Sequence, residues 1–253
     1  MIKGLYTAGA GMMVQMVRQD TLANNLANVN TVGYKRQIAV SRAFPDMLIS
    51  RVGGLTKDEA QEPQVELIGG LGTGVALDKV YSDLGIGSLK KTSNPTDLAL
   101  GSNCYFVVQT SQGERYTRNG QFKLNNEGLL TNQGYLALDT NNRAIRIQGD
   151  FLVDTQGNIS VNGETICQLK IVSFENPQYL LREGDNLLAS PEAANNTVMP
   201  GVLQGYVEES NVNAVKEMVE LINVVRAYET MQKVVQAEDE ITGIAINQVG
   251  SVV

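Results

Sequence analysis

The sequence contains no histidine and no tryptophan, and only two cysteines among its 253 residues. Without histidine the chain lacks the side chain that titrates nearest neutrality and the commonest metal ligand, so acid–base catalysis and zinc binding both start weak. A nucleophilic triad would need lysine or a carboxylate as its base, and no local signature of that kind is present. Cys104 and Cys167 lie in apolar, strand-like contexts and read as small buried hydrophobes. Positive charge is also scarce: 20 Lys and Arg face 27 Asp and Glu, the net charge is −7, and no basic cluster offsets it. Nucleic acid is therefore not an expected partner. No window approaches the roughly 18 uninterrupted apolar residues of a membrane-spanning helix. The start, Met1 to Leu5, lacks a charged segment followed by an apolar run and a cleavage site, so an ordinary secretory signal is not expected. If the chain leaves the cytoplasm, another exporter must recognise it. No catalytic residue, cofactor or metal site is expected.

What is present points to ordered structure: 43% of residues are hydrophobic and 19% charged, with 25 glycines. Residues 2–28 carry Ile2, Leu5, Met12, Met16, Ala23 and Leu26 in a three-four alternation, which predicts a helix with an imperfect heptad seam broken by Gly9 and Gln19. Asn24 to Asn30, then Thr31 and Gly33, supply a stop signal. Near the other end, from about 213 to 249, Leu221, Val224, Tyr228, Met231, Val235, Thr242, Ala245 and Val249 repeat the alternation, with Glu238 its one charged member. Met218, Ile222, Val225, Val234, Ala237, Ile241 and Ile244 form a neighbouring stripe, so the apolar face is wider than two strands of a coiled coil need. The two helices would be on the order of 40 and 55 Å long. Periodicity leaves open whether they extend beyond the body or form an ordinary helical hairpin over it.

Between the helices, residues 36–75 have weak periodicity and contain Gly53-Gly54, the acidic stretch Asp58 to Pro63 and the run Gly69 to Gly74; they read as a connector. The glycines are misplaced for a dinucleotide fingerprint, and no Lys-Ser/Thr follows for a phosphate loop. Residues 76–206 read as many short strands, with Cys104 to Val108 a buried one and turns at Asn119-Gly120, Glu127-Gly128, Gln156-Gly157 and Asn162-Gly163. Gly120, Phe122, Leu124, Gly128 and Gly134 recur 29 positions later as Gly149, Phe151, Val153, Gly157 and Gly163. This is either a pair of similar hairpin units or a chance alignment of glycine-punctuated turns. The calcium-like stretches Asp139 to Asn142 and Asp154 to Asn158 lack the ligand spacing and terminal glutamate of an EF-hand, and read as turns.

The two ends carry a resemblance. Gly4-Leu5-Tyr6-Thr7-Ala8, followed by the run from Leu22 through Asn24, Asn25, Asn28 and Gly33 to Tyr34-Lys35, resembles the N-terminal signature of flagellar rod and hook proteins. Gly205 to Asn213, with Met218-Val219, Ile222 and Arg226-Ala227-Tyr228-Glu229, resembles the same family's C-terminal signature. Tyr116 to Phe122 and Gly128 to Thr131 are similar to its β-domain, so the resemblance spans nearly the whole chain. Arg42 to Leu48 looks more like rod proteins of Gram-positive-type bacteria, and the short length agrees with rod rather than hook.

The resemblance implies an α+β fold: terminal helices paired as a coiled-coil-like helical domain (1–35 plus 207–253), a connector (36–75) and a central all-β domain of short antiparallel strands (76–206). It implies a non-enzymatic subunit of the basal-body rod, which spans the cell envelope outside the cytoplasmic membrane. Its partners would be further copies in a helical homopolymer, other rod and hook subunits, and the flagellar export apparatus. The assembly interface would comprise Leu5, Met12, Met16, Leu26, Leu221, Ile222, Val224, Val225, Tyr228, Met231 and Val235 as packing residues. Asn25, Asn28 and Arg226 would make polar contacts, with helix-end capping an open alternative for the two asparagines. A hook or hook-like subunit is the alternative within the family. A secreted carbohydrate-binding or hydrolytic β-domain is the alternative outside it, disfavoured by the missing tryptophan.

Overall fold

The computed structural model describes residues 2–52, 65–191, 194–196 and 200–249. The Gly53-Gly54 and Asp58 to Pro63 stretches of the expected connector lie outside the described residues. A long helix opens the chain (α1, Ile2–Ala27) and another closes it (α2, Ala214–Ile244, continued by a π-helical turn Ala245–Val249), with short strands between. The chain divides into two units: the described residues within Met1–Ala23, Ile38–Tyr81 and Val215–Val253, and those within Asn24–Gln37 and Ser82–Ala214.

The first unit holds most of both helices and two antiparallel ribbons. Gln37–Ala43 pairs with Val75–Ser82, and Met47–Val52 with Val65–Leu71. In the second ribbon Met47 faces Leu71 and Leu48 faces Gly70. Leu48, Leu67 and Ile68 remain 75%, 63% and 65% exposed, so neither face of that ribbon is covered by its own unit.

The α+β class holds, but the helices are not a coiled-coil pair. A heptad seam requires its large apolar residues to be enclosed by the partner helix. Instead Leu5 and Met16 are 41% and 54% exposed, and only Glu217 and Val224 of α2 are buried. The buried face of α1 is built from Ala8, Gly11, Val14, Thr21, Leu22 and Asn25, displaced by about one position from the expected seam. Contact between the helices is made at discrete places: the Met231 thioether occupies the space a Cβ on Gly11 would need, and the Glu238 carboxylate does the same at Gly4. Glycines of α1 mark these places, while Leu5, Met13 and Met16 are exposed.

The second unit has its core in a nine-stranded sheet. The central strand Cys104–Thr110 is paired on one side with Gly113–Thr117 and on the other with Tyr135–Ala137 and Ile171–Ser173. Its side chains alternate between two apolar clusters. Cys104 and Phe106 join Leu98, Leu130 and Ile159, while Tyr105 and Val107 join Leu138, Val172 and Leu188. A strand covered on both faces loses the polar alternation of a surface strand, which is why this one reads as a continuous apolar run. Both cysteines are free thiols.

The 29-residue repeat is a structural unit used twice. Phe122–Leu124, Leu130–Asn132 and Tyr135–Ala137 form one three-stranded meander; Phe151–Val153, Asn158–Val161 and Glu164–Gln168 form the other. The first turn is made alike in both. Asn125 Oδ1 accepts from the amides of Glu127 and Leu129, and Asp154 Oδ1 accepts from those of Gln156 and Asn158. Hydrogen bonding to the ionised form, chiefly from the Asn158 side chain, holds the Asp154 carboxyl below its ordinary range. Gly128 and Gly157 close the two turns at φ 76° and 84°, a region open to glycine without strain. Leu130 and Ile159, equivalent in the repeat, are both fully buried.

Candidate assembly surface and the joint between the terminal signatures

The segment that leaves α1 is fixed by its asparagines. Asn25, fully buried, donates from Nδ2 to the Gln37 carbonyl at 2.8 Å and accepts the Gln37 amide on Oδ1 at 2.8 Å. Its side chain thus pairs with a peptide group as a neighbouring strand would. Tyr34 Oη donates to the same Oδ1 at 3.1 Å. Asn28 is used locally: Nδ2 donates to the Asn24 carbonyl, and Oδ1 accepts from the Thr31 hydroxyl. Thus Asn28 finishes the helix end, whereas Asn25 binds the chain that folds back along it.

Gly33 sits at φ 69°. A Cβ there would lie 2.5 Å from the Arg118 carbonyl carbon and from the Asn119 nitrogen. Only glycine permits this approach, and it lets the Gly33 amide donate to the Glu208 carbonyl at 2.8 Å. The next residues bring the two terminal signatures together. Lys35 Nζ donates to Glu208 Oε1 at 2.6 Å and to the Gly85 carbonyl at 2.7 Å. Gly87 N donates to the same Oε1 at 2.8 Å. Arg118 Nε stands 2.9 Å from Glu208 Oε2, and Arg118 Nη1 donates to the carbonyls of Ser102 and Cys104. Lys35, Arg118 and Glu208 are 8%, 4% and 1% exposed. Burial pushes the Lys35 ammonium below its ordinary pKa, against the opposing pull of Glu208. A cluster of this kind is weak as a net source of stability, but removing one member strands its partners without compensation. It specifies which parts of the chain meet.

The joint continues through Arg182, whose guanidinium carbon lies 4.5 Å over the Tyr34 ring. Arg182 Nη2 donates to Asn186 Oδ1, and Asn186 Nδ2 donates to the Val32 carbonyl. Arg36 N donates to Asn211 Oδ1 at 2.7 Å.

The residues expected to form an assembly interface are spread over both helices. Of these, Asn25 and Val224 are buried; Met12, Leu26, Asn28, Leu221, Val225, Tyr228, Met231 and Val235 are half-buried; Leu5, Met16, Ile222 and Arg226 are exposed. Tyr6, Met13, Val215, Met218, Val219, Val234, Ile241 and Ile244 add further exposed apolar side chains. Glu208, Lys35 and Gly33 lie within the two signatures, but their pairing could not be read from the sequence, because nothing in local spacing relates residues 173 positions apart.

Three family patterns fall on these regions. "Flagella basal body rod protein" matches residues 5–35, "Flagellar hook protein FlgE/F/G D1 domain" matches 99–166, and "Flagellar basal body rod FlgEFG protein C-terminal" matches 203–248. The chain belongs to the flagellar basal-body rod family. It is 35% identical to the flagellar hook-basal body complex protein FlhO of Bacillus subtilis, covering 100% of both chains. It is also 33% identical to the flagellar basal-body rod protein FlgG of Buchnera aphidicola subsp. Schizaphis graminum, over 95% of this chain and 97% of that one, and 31% identical to FlgG of Bacillus subtilis, over 98% and 99%.

Proposed function

We propose that this chain is a structural subunit of the flagellar basal-body rod, and that it assembles with further copies and with other rod and hook subunits through its terminal helices. The relatives named as basal-body rod proteins match along almost their whole length, which supports a role in the basal body. The observation that carries the assembly reading is the exposed apolar surface of the helices, from Leu5, Tyr6, Met13 and Met16 to Met218, Ile222, Val234, Ile241 and Ile244. Apolar surface of this extent on a charged chain marks a place where another chain sits. Contacts in which one patch meets a different patch on the next copy continue into a helical polymer rather than closing, which suits a torque-bearing tube around the export channel. Subunits would reach the tip through the flagellar export apparatus. The role assigned to the chain is mechanical, with no chemical step.

Deletion of residues 215–253 tests this. Loss of flagella, with the truncated chain still produced, is expected; normal motile flagella containing the truncated chain would end the reading. The deletion leaves Glu208 in place, so its β-unit can be checked separately by circular dichroism.

A further inference from the structure

The chain has eight methionines. Met1 and Met199 lie outside the described residues, and the other six, Met12, Met13, Met16, Met47, Met218 and Met231, all fall in the first unit. None of these six is buried. Methionine ordinarily ranks with leucine and isoleucine among the residues most often enclosed, and the core clusters of the second unit are built chiefly from leucine, isoleucine, valine and phenylalanine instead.

Met13, Met16 and Met218, all on the helices, are 67%, 54% and 48% exposed. Met13 and Met16 stand three positions apart and so share one face of α1. Met231 is placed differently: its sulfur lies 2.7 Å from where a Cβ on Gly11 would be, so the helix contact covers one side of the thioether. A thioether is apolar and adaptable, and it also accepts an oxygen atom from a peroxide. The sulfur attacks the O–O bond; an S–O bond forms as the O–O bond breaks, and the leaving hydroxide takes up the proton of the transferred hydroxyl and departs as water. Sulfur is oxidised by two electrons and the peroxide is reduced. The sulfoxide carries a hydrogen-bond acceptor where an apolar atom stood, which is well solvated in water but unfavourable beneath an apolar neighbour that offers no donor.

We propose that Met13, Met16 and Met218 are modification sites: oxidation by a peroxide before docking turns this part of the assembly surface polar, and withholds the subunit from assembly until a methionine sulfoxide reductase restores the thioethers. The inference rests on the reading that the terminal helices are the assembly surface.

Hydrogen peroxide applied to the purified full chain, followed by peptide mass mapping, reads the first half. Met13, Met16 and Met218 are expected to gain one oxygen atom each while Met231 is still unmodified; oxidation of Met231 at the same rate would overturn the proposal. The second half is read in cells without methionine sulfoxide reductase, as the amount of the chain in purified hook-basal bodies with peroxide relative to the amount without. For the wild-type chain it should fall at least about tenfold, and for a chain carrying Met13→Leu, Met16→Leu and Met218→Leu it should stay unchanged. Equal falls would mean that peroxide acts elsewhere, and would overturn the proposal. Met13→Gln, Met16→Gln and Met218→Gln together place a polar group at the same positions without peroxide and should lower incorporation by a similar factor; normal incorporation of that chain would also overturn it. Circular dichroism checks the fold of both variants, and if one fails to fold the other decides. Failure of the assembly reading itself is told apart by the deletion of residues 215–253, which would then still be incorporated.

Discussion

The two units of the chain handle apolar surface in opposite ways. In the second, Leu98, Phe106, Phe122, Leu130 and Ile159 are sealed in one core cluster, and even charged residues are enclosed, provided they meet, as at Glu208. In the first, Leu48, Leu67 and Ile68 on a ribbon, and Met16, Ile222 and Ile244 on the helices, stand largely in solvent. The second unit also leaves Leu152, Ile166 and Leu181 exposed, but its large apolar residues are mostly enclosed, whereas those of the first are mostly exposed.

Substitutions should sharpen that contrast. The largest effect on the isolated chain is expected from Glu208→Ala, which strands Lys35 and Arg118 as buried cations; a loss of about 3–5 kcal/mol by urea denaturation follows from removing one member of a buried charge cluster. Leu130→Ala should cost about 2–5 kcal/mol through the cavity it leaves. Gly33→Ala, which combines a left-handed backbone with a clash against residues 118 and 119, should cost about 1–3 kcal/mol or more. Ile222→Ser belongs to the other unit and should change the stability of the isolated chain by less than about 0.5 kcal/mol while impairing incorporation into flagella. If Ile222→Ser destabilised the monomer as much as Leu130→Ala, the contrast would collapse.

The smallest effect at neutral pH concerns Tyr105. Burial pushes its phenol up to about 12, only partly opposed by Arg118. The folded value lies above the unfolded one, so the associated stability is intact below about 10 and is lost as pH rises through about 12. Absorbance titration of the phenols should show one tyrosine ionising only near that pH, absent in Tyr105→Phe.

Much of this was legible in the sequence, for reasons that differ by element. The seam expected on α2 holds in its first part, where Leu221, Val224, Tyr228, Met231 and Val235 are at least half-buried, but Thr242 of that seam and Met218, Ile222, Val234, Ile241 and Ile244 of the neighbouring stripe are exposed. The face of α1 was missed by one position because Ala8, Gly11 and Thr21 make up much of its contact side, beside Val14 and Leu22. Those small residues weigh little on any hydrophobic scale yet allow close approach, while Met13 and Met16 are exposed. The ribbon of Met47–Val52 and Val65–Leu71 gave no alternation, because a ribbon uncovered on both sides has no inner face to enforce one. The glycine repeat was visible, since each positive φ writes a glycine into the sequence. The charge cluster was not, since a lysine and a glutamate brought together by the whole fold leave no local trace.

The distance along the chain between Lys35 and Glu208 also sets an order of events. Closing a loop of that length costs about 4–5 kcal/mol of chain entropy, so the joint forms late, after the local meanders have supplied their own contacts. Until residue 208 is available, Lys35 and Arg118 have no counter-charge from it, and the Gly33 amide lacks its acceptor. The joint therefore needs the chain to extend through residue 208, and a fragment cut short of Glu208 should be soft after α1 even where its sheet is formed.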